Sequence, residues 1–221
     1  MVRKHNNSFT ALLIYVDDIM LTGNDGYEIQ HVKRHLDHLF KIKDLGSLWF
    51  FLRLEVARSK SGRILNQQKY ALQLLFDAGL LAAKPATTPM DPSLKLQKEQ
   101  GTPFCDATTY RRLVGRLLYL TTTRPDISFP VQELREFMAN PTDIYYKAAT
   151  RVFRYIKDSP SKGLFFPADN DLHPSAFSDS DWACCTDTRP SISGFLCFSR
   201  PSSCCLEIKE TKYSFSKLFL S

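Results

Sequence analysis

The run FTALLIYVDDIMLTGND, residues 9–25, sets two adjacent carboxylates, Asp17 and Asp18, inside an otherwise apolar stretch. Ionised side chains in an apolar setting are costly unless solvent or a cation takes up their charge. One continuous buried strand is therefore excluded, and the pattern predicts strand, tight turn, strand, with the acids at the turn. Two uses of the pair stay open at this point. It can be a plain turn pointing both acids into water, or a site for Mg²⁺, a hard cation that prefers oxygen ligands. Paired ions of that kind stabilise the attacking and leaving oxygens of a phosphoryl transfer.

The residues that follow predict an α+β chain. Gly23-Asn24-Asp25-Gly26 closes the hairpin and can cap a helix over 27–40, where Ile29, Val32, Leu36, Leu39 and Phe40 recur at helical spacing. A short strand is expected at 41–45. In LWFFLRLEVARS, Leu48, Phe50, Leu52, Leu54 and Val56 alternate onto one face, and Ser61-Gly62 turns the chain into RILNQ as a second hairpin. KYALQLLFDAGL reads as a helix stopped near Gly79. The Pro-, Thr- and Lys-rich segment 81–104 lacks periodicity and reads as a linker. Three helices follow, over 107–120, 124–139 and 142–157, with Pro130 expected to kink or split the second. Short strands are expected in GLFF, SAFSDSDW and SGFLCF, and no pattern in the last fifteen residues.

The charge balance narrows the partners. Lys and Arg number 29 against 23 Asp and Glu, a formal charge of +6 that mildly favours a polyanion such as nucleic acid. Lys147, Arg151 and Arg154, with Lys157, fall on one face of the last helix. Arg111 and Arg112, with Arg116 and Arg124, cluster around the preceding ones. An exposed cationic stripe and an ordinary solvated face both fit this spacing. None of the six cysteines has zinc-site spacing, and five fall late in the chain, so they read as reduced thiols of an intracellular protein. The five histidines show no ligand pattern. No apolar stretch is long enough to span a bilayer, the start lacks a signal-peptide cleavage site, and no membrane partner is expected.

Taken together, the segments resemble the polyprotein of copia-type LTR retrotransposons over nearly the whole length. LLIYVDDIMLTGND, KIKDLGSLWFFLRLEVARSKSGRILNQQKYALQLL, AGLLAAKPATTPMDP, YRRLVGRLLYLTTTRPDISF, RVFRYIKDSPSKGL and AFSDSDWACCTDTRPSISGF occur in the family's order. The resemblance implies a partial reverse-transcriptase palm over 1–80, a linker over 81–104, helical thumb and connection over 105–163, and a truncated RNase H-like segment over 164–221. It makes Asp17 and Asp18 the paired palm carboxylates that hold Mg²⁺. It also makes Asp179, with Asp181 behind it, the first RNase H carboxylate, and the basic helices a cradle for an RNA/DNA template–primer. The family usually has Gly where this chain has Arg53, at what reads as a strand position where a backbone approaches closely.

The same resemblance marks what the sites lack. The family draws a third palm aspartate from an upstream strand, and residues 1–16 contain no Asp or Glu. Residues 17 and 18, as neighbours, do not easily turn both carboxylates to one ion. In the RNase H-like segment Glu207 and Glu210 do not fit the family's helical Glu, Cys184 stands for a Gly and Pro190 for an Arg. The expectation is a chain that does not polymerise DNA by itself and an RNase H site that is inactive, on an incomplete sheet with open edges.

Overall fold

The computed structural model describes residues 1–5, 7–98, 100–168, 174–181, 191–199 and 202–211; beyond 168, side chains are described only at 175–178 and 194. Cys184 and Pro190 lie outside the described residues. The chain divides into two compact units, Met1–Val56 and Ala57–Ser221.

In the first unit, β1 (Val2–His5), β2 (Ser8–Tyr15) and β3 (Asp18–Gly23) form an antiparallel sheet in the order β1-β2-β3. Leu12 pairs with Leu21 and Ile14 with Ile19, so these four share one face; Phe9, Leu13, Tyr15, Asp18 and Met20 share the other. Helix α1 (Gly26–Phe40) starts where the Asp25 carboxylate accepts the Tyr27 and Glu28 amides at 3.0 and 3.1 Å, the capping read from the sequence. It covers the first face, where Leu12 and Leu21 line a cavity together with Val32 and Leu36. No residue of α1 is buried, and Leu39 and Phe40 at its end stay exposed.

Two expectations for residues 41–58 are corrected. The strand at 41–45 is absent: Lys41 takes a left-handed φ of 52° to end α1, and Asp44 folds back to accept the Gly46 amide and pair with Lys33 at 2.8 Å. The alternating run from Leu48 is not one strand. It breaks into β4 (Phe50–Phe51) and β5 (Leu54–Arg58), an antiparallel pair joined by Leu52 and Arg53. Both connecting residues have positive φ, 49° and 60°. A two-residue hairpin loop with positive φ at both positions favours glycine at the second. Position 53, read from the sequence as a strand site, therefore belongs to a tight turn.

The second unit holds the enclosed core. β6 (Gly62–Asn66) leads into α2 (Gln68–Asp77), which Gly79 stops with φ 68° as its amide bonds the Phe76 carbonyl. α3 (Ala107–Leu120) is capped by Asp106, whose carboxylate accepts the Thr109 amide at 2.9 Å. A 3-10 turn, Pro125–Ile127, precedes α4 (Ser128–Glu136), and α5 (Asp143–Asp158) follows. The expected split near Pro130 occurs, but two residues earlier. Pro130 sits in the first turn of α4, where a missing N–H leaves no intrahelical bond unmade. Leu74, Leu75, Val114, Leu117, Val131, Leu134, Val152, Phe153 and Ile156 are buried to within 1%. At about 1.5–3 kcal/mol for each fully buried large apolar side chain, this cluster dominates the fold. Tyr110 is also sealed; its hydroxyl donates to the Leu134 carbonyl at 2.7 Å, and burial pushes its pKa up.

Segment 81–104 is irregular, as a linker would be, yet it is fastened to the core. Ala86 is buried and its amide bonds the Arg154 carbonyl at 3.1 Å, Leu94 and Leu96 pack on the core, and the Tyr145 hydroxyl donates to the Gln97 carbonyl. β7 (Leu164–Pro167), the GLFF strand, pairs with β6, where a Cβ on Gly163 would meet the Leu65 carbonyl at 2.2 Å. The later strands β8 (Pro174–Asp181), β9 (Ser191–Ser199) and β10 (Ser202–Thr211) make a separate antiparallel sheet in the order β10-β9-β8. β10 falls partly in the last fifteen residues, where no pattern was expected. Among the described residues, β7 and the strands β8–β10 thus lie in different sheets.

One ion-pair network fixes the joint between α3, α4 and α5. Arg124, 1% exposed, donates Nε and Nη2 to the two Asp126 oxygens at 3.0 Å each and Nη1 to the Ser159 carbonyl at 2.9 Å. Tyr155 and Lys162 also donate to Asp126, at 2.8 and 3.0 Å. Burial would raise the Asp126 carboxyl, but Arg124 foremost, then Lys162 and Tyr155, overcome it and hold it at about 2. A lowered folded-state pKa contributes stability that is complete above the unfolded value near 4 and vanishes as pH falls toward 2. Acid titration of unfolding is therefore expected to show a loss of about 2–3 kcal/mol between about pH 4 and pH 2. Asp126→Asn, which strands a buried guanidinium, is expected to remove this carboxylate's share of that dependence and to cost about 3–5 kcal/mol at neutral pH by urea denaturation.

Candidate active site and nucleic-acid interface

The acidic pair sits at the tip of the β2–β3 hairpin. Tyr15 and Asp18 form the closing pair, and Val16 and Asp17 are the two loop residues. Val16 has φ 51°. A β-branched residue with positive φ is a genuine outlier that costs about 1–3 kcal/mol and persists only where the surroundings impose it. Here the tight loop imposes it, and the backbone reversal presents two consecutive carboxylates at one exposed tip. Asp17 and Asp18 are both exposed, as the turn reading required.

As donors the pair suits Mg²⁺ in kind, since both supply hard oxygens. In number it does not complete a site. Among the described residues no group of three His, Cys, Asp or Glu side chains is arranged to hold a metal. Asp179 lies on β8 opposite Gly194, and Asp181 opposite Ile192. Both are two apart on one strand and so on one face. Their side chains, and those of Glu207 and Glu210 on β10, lie outside the described ones.

The basic residues are largely engaged with the protein itself. Lys147 pairs with Asp143 one turn away at 3.0 Å; the Thr102 amide and this lysine hold the Asp143 carboxyl at about 2. Arg151 donates to the Thr88 carbonyl at 3.3 Å and hydroxyl at 2.9 Å, Arg154 to the Lys84 carbonyl at 2.6 Å, and Lys157 to the Ala83 carbonyl at 2.5 Å. The cationic face of α5 thus grips the irregular strap 83–88. Arg111 donates to the Met138 and Ala139 carbonyls at 2.7 and 3.0 Å, just past the end of α4. Arg112 is exposed on α3. The helical spacing found these residues but could not reveal that strap carbonyls occupy three of them. Arg124, grouped with them by sequence, is the buried centre of the network above.

A hairpin tip with paired carboxylates, followed by a second hairpin and a helical unit, is a mixed α/β arrangement consistent with part of a reverse-transcriptase domain. The family model for reverse transcriptase (RNA-dependent DNA polymerase) matches residues 2–92. The chain is 41% identical over 197 residues to the retrovirus-related Pol polyprotein from transposon RE1 of Arabidopsis thaliana, covering 89% of this chain and 13% of that one. It is 31% identical over 207 residues to the corresponding polyprotein from transposon TNT 1-94 of Nicotiana tabacum, covering 88% and 15%. An uncharacterized mitochondrial protein of Arabidopsis thaliana is 42% identical over 188 residues, covering 85% of this chain and 78% of its own length. No solved structure matches. The chain belongs to the reverse-transcriptase family of copia-type transposon Pol polyproteins, and it spans about an eighth of the RE1 polyprotein's length.

The strain at Val16 gives a direct check. Val16→Gly removes the Cβ that a positive φ disfavours, so the β2–β3 amides are expected to gain about 1 kcal/mol of protection in hydrogen exchange. Val16→Ile should leave protection nearly as it is.

Proposed function

We propose that this chain is the part of a copia-type Pol polyprotein that contributes the paired palm carboxylates of RNA-directed DNA synthesis, and that it does not polymerise DNA unaided. The observation that carries the reading is the exposed Asp17-Asp18 doublet on a strained two-residue hairpin. When bound, Mg²⁺ would supply electrostatic stabilisation of the transferring phosphoryl group. Asp17 and Asp18 would hold it, with their opposing ligand drawn from elsewhere in the polyprotein. The short loop sets the backbone at both positions, which keeps the two acids at one exposed tip.

The later strand pair with Asp179 and Asp181 is proposed as the opening of an RNase H-like domain. The template–primer is the proposed partner. Of the basic set Lys147, Arg151, Arg154, Arg111 and Arg112, the last has the least to give up in turning to a phosphate, because the others already hold protein oxygens. A non-catalytic nucleic-acid-binding role is the second reading. The net charge of +6 favours it, and contacts of this kind would be indifferent to sequence.

Two measurements separate these readings. Primer extension by the purified chain with Mg²⁺ is expected to give no template-dependent incorporation; incorporation abolished by Asp17→Asn/Asp18→Asn would overturn the proposal that it cannot act alone. Filter binding of an RNA–DNA hybrid is expected to weaken steeply with salt, with Arg112→Ala lowering the salt slope by about one. No retention at low salt would remove the nucleic-acid role.

A further inference from the structure

The sequence reading found no ligand pattern among the histidines, but α1 creates one. His31 and His35 are four residues apart on a continuous helix, Gly26–Phe40. That spacing stacks two side chains on one face with Cβ atoms about 5–6 Å apart, the same interval that lets two imidazoles on a helix hold one metal. Both rings line the same cavity of about 260 Å³ between α1 and the β1–β2–β3 sheet, and His38, one turn further on, does not. Both are exposed at its mouth, so an ion can reach them and water can complete its coordination.

We propose that His31 and His35 form a two-imidazole site for a borderline divalent transition metal of the Zn²⁺, Ni²⁺ or Cu²⁺ class. Imidazole nitrogen selects these ions over Mg²⁺. Glu28 lines the same cavity, but its carboxylate is held by Arg3 at 2.7 Å, and it lies seven residues from His35, too far along the helix for one ion to reach both. The protein donor set is therefore the two rings, in keeping with the absence of three-ligand groups among the described residues. The site is separate from the acidic pair: Leu12 and Leu21 share its cavity, whereas Asp18 lies on the opposite face of the sheet. Its consequence is local. None of α1's residues is buried, so a metal bridging two successive turns adds a tie that packing does not supply.

The test is titration of the whole chain with NiCl₂ and with ZnCl₂ by calorimetry, in the presence of millimolar Mg²⁺. One ion is expected to bind, with at least a tenfold loss of affinity in His31→Ala and in His35→Ala. His38→Ala and Asp17→Asn/Asp18→Asn are expected to bind as the parent does. Hydrogen exchange should show α1 amides protected on metal addition in the parent and in neither His31→Ala nor His35→Ala. Both substitutions are at exposed positions, and far-UV circular dichroism checks that each variant remains folded. Undiminished affinity in His31→Ala and His35→Ala overturns the proposal, as does an equal loss in His38→Ala. Displacement by Mg²⁺, or loss in the aspartate double variant, overturns it too, by assigning the ion to the hairpin tip instead.

Discussion

The buried Arg124 guanidinium is the constraint around which the helical unit is arranged. A charge that is 1% exposed demands complete pairing, and its partners come from three places: Asp126 in the 3-10 turn, the Ser159 carbonyl at the end of α5, and the Tyr155 ring, 5.6 Å from the guanidinium carbon. Satisfying it therefore fixes the chain reversal after α3, the entry to α4 and the exit from α5 at once. Lys162 joins through the same carboxylate, which ties in the turn that launches β7. The apolar core supplies most of the free energy, but apolar packing tolerates sliding. The bidentate pair does not, so it specifies register where the core specifies only compactness.

Much of this was legible in the sequence, and the reasons are local. The β2–β3 hairpin, the α1 cap at Asp25, the α2 stop at Gly79 and α3 follow from side-chain periodicity and capping chemistry carried by neighbouring residues. The failures came where a residue's state is set by something distant or by its own backbone angle. Alternation in LWFFLRLEV suits a strand, yet it equally suits two short strands around a tight turn, and only φ at Leu52 and Arg53 distinguishes them. Residues 81–104 have no period because their contacts are made by single residues such as Ala86 and Leu94 reaching the core, not by a repeating face.

The candidate sites divide the same way. The turn that exposes Asp17 and Asp18 was legible because it is written in adjacent residues. The fate of the basic residues was not. A helical wheel places Arg151, Arg154 and Lys157 on a polar face, but it carries no information about a strap more than sixty residues earlier in the chain that delivers backbone carbonyls to them. The histidine pair was missed for a different reason: the helix that carries it was expected, but the surrounding residues match no longer ligand motif, and only the fold shows both histidines lining one cavity.

The strap on α5 changes how charge neutralisation in this region must be understood. Arg151, Arg154 and Lys157 act as rivets as well as cations, so replacing them frees segment 83–88 in addition to removing positive charge. The donors on this face are already engaged, so any group that took them would first have to displace peptide oxygens of the strap. The helix can thus carry four basic side chains while presenting few unengaged donors at its surface, because the chain's own acceptors take them up.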